Sequence, residues 1–122
     1  MKILYIEDSE LQISLAKRVV RDCLNCSLVA ARTRDEALQA IAKNLDIDLI
    51  VTDFYLNTDR RVNGLDIAKM VKMLDIKIPV VLLTGRITDS MKEGDLSLFD
   101  SYHEKDDLLK CWRNIVKKYL KA

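Results

Sequence analysis

Five residues able to do chemistry stand at or just past runs of strand-forming residues. Glu7 and Asp8 follow "KILYI", Asp53 follows "DLIVT", Thr84 closes "VVLLT" and Lys105 follows "YHE". Each has an ordinary explanation alone: aspartates stop strands at turns, acids favour helix N-termini, and lysines are commonly solvated. Together they carry more weight, because an open parallel sheet gathers functional groups beyond the C-terminal ends of its strands. Three crowded carboxylates repel, and some protonate unless a cation is present. Mg2+ suits such a set, being a hard ion that binds one or two carboxylates, waters and a phosphate oxygen. Lys105 adds a second positive charge. Such an edge can hold a transferring phosphoryl group, and a carboxylate such as Asp53 can accept it as an acyl phosphate.

The elements that must position these residues alternate between two periods. "KILYI" (2–6), "SLVAA" (27–31), "DLIVT" (48–52) and "VVLLT" (80–84, opened by Pro79) are continuous apolar runs of strand type. Between them lie helical repeats. Ser9 and Gln12 form a capping-box pattern ahead of Leu11, Leu15, Val19 and Cys23, with Ala16 and Val20 beside them. Thr33 and Glu36 form another ahead of Ala37, Leu38, Ile41, Ala42 and Leu45. Ile67, Met70, Val71 and Leu74 make a third stripe, and Leu108, Trp112, Ile115, Val116 and Tyr119 the last. Residues 88–101 are the least regular; Gly94 interrupts them, and they predict a short helix to about Leu96 and a short strand near Leu98–Tyr102. Alternating strands and helices imply an α/β fold, a doubly wound parallel sheet covered on both faces. The 122 residues suit one domain, 1–122.

Composition narrows the function classes. With 49% hydrophobic and 32% charged residues the chain is of soluble globular type, and a net charge of +1 gives no global attraction to nucleic acid or anionic lipid. No stretch approaches a membrane span or a signal-peptide core, so a cytoplasmic protein is expected. "CLNC" (23–26) ends a helical pattern, where the dipole disfavours thiolate, and with Cys111 and His103 it supplies no obvious zinc set. Free thiols are expected, with His103 at the surface. Nucleotide-binding loops are excluded by the absence of glycine runs.

"YIEDSE", "LIVTDF", "VVLLTG" and "YHEK" resemble the signature segments of the receiver domain of two-component response regulators. The resemblance spans essentially the whole chain. It implies a flavodoxin-like sheet of five strands in the order 2-1-3-4-5, flanked by five helices. It implies Asp53 as phospho-acceptor and Asp8 as direct Mg2+ ligand, with Glu7 acting largely through water and the Tyr55 carbonyl completing the set. Thr84 would bond a phosphoryl oxygen and Lys105 pair with it, while Tyr102 would be the switch aromatic moving with Thr84. Tyr55 and Arg86 occupy positions that tune phosphoryl loss. The donor would be a phosphohistidine on a sensor histidine kinase or phosphotransfer protein. The responding face, made by the fourth helix, fifth strand and fifth helix, would meet a downstream protein target or output domain. No direct nucleic-acid contact is expected, and no turnover of an external substrate beyond self-phosphorylation and dephosphorylation.

The chain departs from that family's pattern in three places. Asp106 stands where a proline usually follows the lysine, the loop after Asp53 is longer and lacks proline, and Leu98-Phe99 replace a common Gly-Ala. These departures motivate a competing reading, a degenerate receiver that works as a phosphorylation-independent interaction module. A phosphohydrolase with an aspartyl intermediate is a third reading; such enzymes commonly carry Asp-x-Asp at the first strand end, where this chain has Glu7-Asp8-Ser9.

Overall fold

The computed structural model describes residues 1–43, 46–56, 63–89, 91 and 96–119. Five parallel strands run in the order β2-β1-β3-β4-β5: β1 Lys2–Ile6, β2 Ser27–Ala31, β3 Leu49–Thr52, β4 Val80–Thr84 and β5 Ser101–Glu104. The helices are α1 Glu10–Arg18, extended by a π-helical turn Val19–Cys23, α2 Arg34–Lys43, α3 Gly64–Met73 and α4 Leu108–Tyr119. α4 is therefore the fifth helix of the sequence reading. The fourth expected helix falls on a segment of which 90 and 92–95, including Gly94, lie outside the described residues.

Two cores sandwich the sheet. Ile3, Tyr5, Leu49, Val51, Val81 and Leu83 face α1 and α4, where Ala16, Val20, Trp112, Ile115 and Val116 cover them. Leu4, Ile6, Ile50 and Leu82 face the other way, toward α2 and α3. The alternation of strand side chains between faces dictates this division. β1, β3 and β4 are buried on both sides, which is why their sequences are continuously apolar. No helix among the described residues is long and apolar enough to cross a membrane.

The strand expected near Leu98–Tyr102 is displaced. Leu96–Leu98 instead form a 3-10 turn, with Leu96 and Phe99 buried, and the strand begins at Ser101. The Asp100 carboxylate accepts the Val80 N–H at 2.7 Å, closing the start of β4. As an edge strand covered on one side, β5 alternates in burial, so its sequence lacks a continuous apolar run. Helix faces are also rotated from expectation. Ile13, Ala16 and Val20 are the buried positions of the first helical segment, whereas Leu11 and Cys23 are exposed. Ala16 lets the helix axis approach the sheet closely, and this selects the face. In α2 only Ala37 is buried, with Ala40 and Ile41 packed partly against the core; Ala42 is exposed and Leu45 lies outside the described residues. In α3 Leu65, Ile67, Ala68 and Val71 are buried while Leu74 is exposed.

Caps follow the sequence signals in part. Ser9 Oγ accepts the Gln12 N–H, but Gln12 does not reach back, and its buried Oε1 has no hydrogen-bond partner. Thr33 Oγ1 accepts the Glu36 N–H, and Glu36 returns to the Arg32 N–H instead of that of Thr33. The complete capping box is Asn63 with Asp66, which starts α3. α3 ends in two reversed bonds, Asp75 N–H to Lys72 O and Ile76 N–H to Val71 O, both 3.1 Å, with Asp75 in the left-handed region at φ 54°. A branched side chain is disfavoured there, so Asp75→Val should cost about 1–2 kcal/mol while Asp75→Gly costs nothing. Urea unfolding of the three proteins measures this; equal midpoints would mean that the turn carries no such constraint.

Candidate functional site

The ladder continues one residue past three of the strands, and this places the chemistry. Glu7 N–H bonds to Ala31 O at 2.9 Å, Asp53 N–H to Ile6 O at 3.1 Å and Lys105 N–H to Thr84 O at 2.8 Å. Each residue leaves its strand with its backbone still tied to a neighbour, on the edge that also carries Thr84. The side chains then converge. Lys105 Nζ lies 3.2 Å from Asp53 Oδ2 and 3.8 Å from Glu7 Oε2. Thr84 is buried, and Asp8 is half-buried beside Glu7.

Asp53 is held from several directions. Its Oδ1 accepts the Phe54 N–H at 2.7 Å, and its carbonyl accepts the Thr52 hydroxyl at 2.8 Å. The start of α3 lies against this backbone: Gly64 N–H donates to Phe54 O at 2.7 Å, and a Cβ on Gly64 would sit 2.7 Å from Asp53 O. An antiparallel bridge between Tyr55 and Asn63 closes the intervening loop. Residues 57–62 between them, Arg60 and Arg61 included, lie outside the described residues.

The electrostatics are strained around Glu7. Ser9 N–H reaches its Oε1 at 3.3 Å, but its buried Oε2 receives no hydrogen bond. Burial pushes the Glu7 carboxyl up to about 8, and the proton that its neutral form can share with Asp53 pushes the same way. The Lys105 ammonium pulls it down, the Asp53 charge raises it, and the Ser9 N–H lowers it. One lysine thus faces two carboxylates. Tyr5 beneath the site, edge-on to Trp112 at 5.1 Å, is shifted above the usual tyrosine range by burial and then by Glu7 and Asp53. Nothing in the residue pattern singled Tyr5 out; only the alternation of β1 places it under that edge.

Other expected site residues lie further out. Tyr55 and Tyr102 are 51% and 50% exposed, and Arg86 is exposed. Ile87 N–H, just past Arg86, donates to Glu104 Oε1 at 3.2 Å, tying the loop after Thr84 to β5. Asp106 N–H donates to Glu104 O at 3.0 Å, a bond that a proline at that position could not make. His103 is half-buried rather than at the surface, bonded to Ser101 Oγ at 3.1 Å, and burial followed by the Lys118 charge lowers its basicity. The three cysteines are free thiols. Among the described residues no group of three or more His, Cys, Asp or Glu side chains is gathered closely enough to hold a metal ion by itself. The donors present are hard oxygens, one of them a buried Glu7 oxygen without a hydrogen bond, which suits an ion that keeps most of its waters.

Residues 3–98 match the response regulator receiver domain family. The chain belongs to this family. The matched span carries Glu7, Asp8, Asp53, Tyr55, Thr84 and Arg86, and Tyr102 and Lys105 follow it. Solved receiver structures share the fold. A two-component response regulator from Clostridium difficile superposes with a TM-score of 0.83 at 24% identity, over 98% of this chain and 95% of that one. The response regulator TrrA from Thermotoga maritima, in complex with Mg2+-BeF, gives 0.80 at 24% identity, covering 98% of both chains. The Vibrio cholerae chemotaxis protein CheY4 gives 0.81 at 20% identity, also over 98% of both. No curated protein sequence matches the chain.

Two expectations follow for this receiver. Glu7 holds its proton to higher pH when folded, so the stability this proton lends is complete below the ordinary value of 4.5 and is lost as pH rises through about 8. Glu7→Gln cannot ionise and keeps that stability. In chelator, its advantage over wild type should therefore grow by up to about 1.4 kcal/mol per pH unit across that window and then level off. Urea unfolding at several pH values measures it; a difference that does not vary with pH would mean Glu7 ionises as an ordinary carboxyl. Separately, Gly64→Ala should displace the start of α3 and cost about 1–3 kcal/mol, shifting the amide resonances of Asp53 and Phe54. Unchanged resonances there would show that α3 does not bear on the site.

Proposed function

We propose that this receiver accepts a phosphoryl group on Asp53 from a phosphohistidine of a sensor histidine kinase or phosphotransfer protein, and in doing so changes a protein-interaction face. The observation that carries the reading is the Lys105 ammonium, 3.2 Å from Asp53 Oδ2 and 3.8 Å from the buried Glu7 Oε2, which no hydrogen bond reaches. An Asp53 carboxylate oxygen forms the new O–P bond while the N–P bond of the donor breaks, and the donor imidazole leaves with the electron pair and takes up a proton. Lys105 neutralises charge on the transferring oxygens, and the Thr84 hydroxyl bonds one of them. Glu7, Asp8, Asp53 and the Tyr55 carbonyl would hold Mg2+, which when bound supplies the positive charge that lets these carboxylates stay ionised around an incoming phosphate. The T. maritima regulator in complex with Mg2+-BeF supports this use of the shared fold.

The two arms of the response start at Thr84. Its loop is tied to Glu104 through Ile87. Tyr102, half-exposed on β5, is the aromatic that would follow Thr84 inward, altering the surface of β5 and α4; the fourth helix of the expected face falls partly outside the described residues. Tyr55 and Arg86, exposed at the entrance, would set how long the acyl phosphate survives. A downstream protein or output domain would read the altered face. The single five-stranded sheet of the described residues, from Lys2 to Glu104, supports one receiver unit over 1–122; in this reading that unit works in the cytoplasm. The degenerate reading loses one of its motives here, because the loop carrying Asp106 is closed by its own hydrogen bond and still delivers Lys105 to Asp53.

Incubation with a small phosphodonor and Mg2+, followed by mass analysis, tests the reading. Wild type should gain one alkali- and hydroxylamine-labile phosphoryl group, Asp53→Asn none, and Lys105→Met should be slowed by about a hundredfold, the scale of removing one charged stabilising group. Wild-type labelling rates in Asp53→Asn would remove Asp53 as the acceptor.

A further inference from the structure

The apolar stripes of α2 and α3 are wider than the core that they cover. Both helices pack on one sheet face, and a groove of about 450 Å³ lies between them. Half-buried Leu38 and Met70 line it, together with Met73 and Leu74, which are 85% and 54% exposed. The exposure is built in, because the reversed bonds Asp75 N–H to Lys72 O and Ile76 N–H to Val71 O hold the end of α3 in place. Fraying of the helix does not explain it.

A protruding side chain beside a recess on the same surface is what a two-fold interface requires, since each copy offers both knob and hole. Methionine suits the knob, being unbranched and able to fill irregular gaps. The charges agree. Arg34 and Asp35 are adjacent on the α2 wall of the groove, so a two-fold axis can set each against its opposite in the second copy. With Asp66 and Lys69 on the α3 wall the groove carries two charges of each sign, so a partner of one sign would meet as many repulsions as attractions. The whole chain carries only +1, which leaves little long-range repulsion between copies.

We propose that two copies of this chain associate through the α2–α3 groove about a two-fold axis, each Met73 entering the groove of the other. The inference does not rest on the phosphoryl-transfer reading. Two ten-residue helices side by side present roughly 300 Å² in projection, against about 800 Å² per partner in a standard interface. The association is therefore weak and reversible, and is reached only toward millimolar concentration.

Sedimentation equilibrium of the intact chain, from micromolar to millimolar, tests this. Wild type should dimerise reversibly. Met73→Glu, at a solvent-exposed position and with folding checked by circular dichroism, should weaken the dimer at least about tenfold. Arg34→Asp should weaken it as well, and adding Asp35→Arg should restore it. Amide resonances of α2 and α3 should be those that move with concentration. A monomer throughout, a dimer indifferent to Met73→Glu, or a charge exchange that fails to restore association would each overturn the proposal.

Discussion

Three backbone hydrogen bonds decide what this molecule can do. Glu7, Asp53 and Lys105 each donate an N–H to the last residue of an adjacent strand, to Ala31, Ile6 and Thr84. The parallel ladder thereby reaches one residue beyond itself and delivers two carboxylates and an amine to one place. Left to their own charges, Glu7 and Asp53 would separate. The ladder holds them together because its strands are locked on both sides by packed cores, one under α1 and α4, the other under α2 and α3. Packing energy is what makes an electrostatically unfavourable cluster persist.

The cluster is correspondingly incomplete. Lys105 sits closer to Asp53 than to Glu7, so one buried oxygen of Glu7 has no hydrogen bond and its carboxyl holds on to a proton. A site in that condition gains from any group that brings positive charge. The same strands that set the cluster also connect it outward. Lys105 and Glu104 belong to the segment that binds the Thr84 loop, and Gly64 presses α3 onto the backbone of Asp53. Changes at Asp53 therefore have short physical routes to β5 and to α3.

Much of this was legible in the residues. β1 and β4 run over the residues expected and β3 begins one later, because burial on both faces leaves a continuous apolar run. The site edge followed from those strand ends. What escaped the sequence was set by packing. β5 is an edge strand with an alternating pattern, so the neighbouring apolar Leu96, Leu98 and Phe99 drew the expected strand toward themselves. The face of α1 was misplaced because Leu11 and Leu15 outweigh Ala16 in hydrophobicity, while close approach favours the alanine. Leu74 was read as core, yet α3 turns away one residue before it could be covered. Gly64 is one of only three glycines, but the backbone contact that requires it appears only in three dimensions.

The central claim is that Asp53, Lys105 and Thr84 form one pre-set phosphoryl site. Amide-correlation NMR during titration with beryllofluoride, a mimic of aspartyl phosphate, tests it most directly when run with and without Mg2+. Saturable shifts at Phe54, Thr84 and Lys105 that require Mg2+ and vanish in Asp53→Asn, with linked shifts at Ile87 and Tyr102, are the predicted result. No shifts at millimolar Mg2+, or the same shifts in Asp53→Asn, would contradict the account.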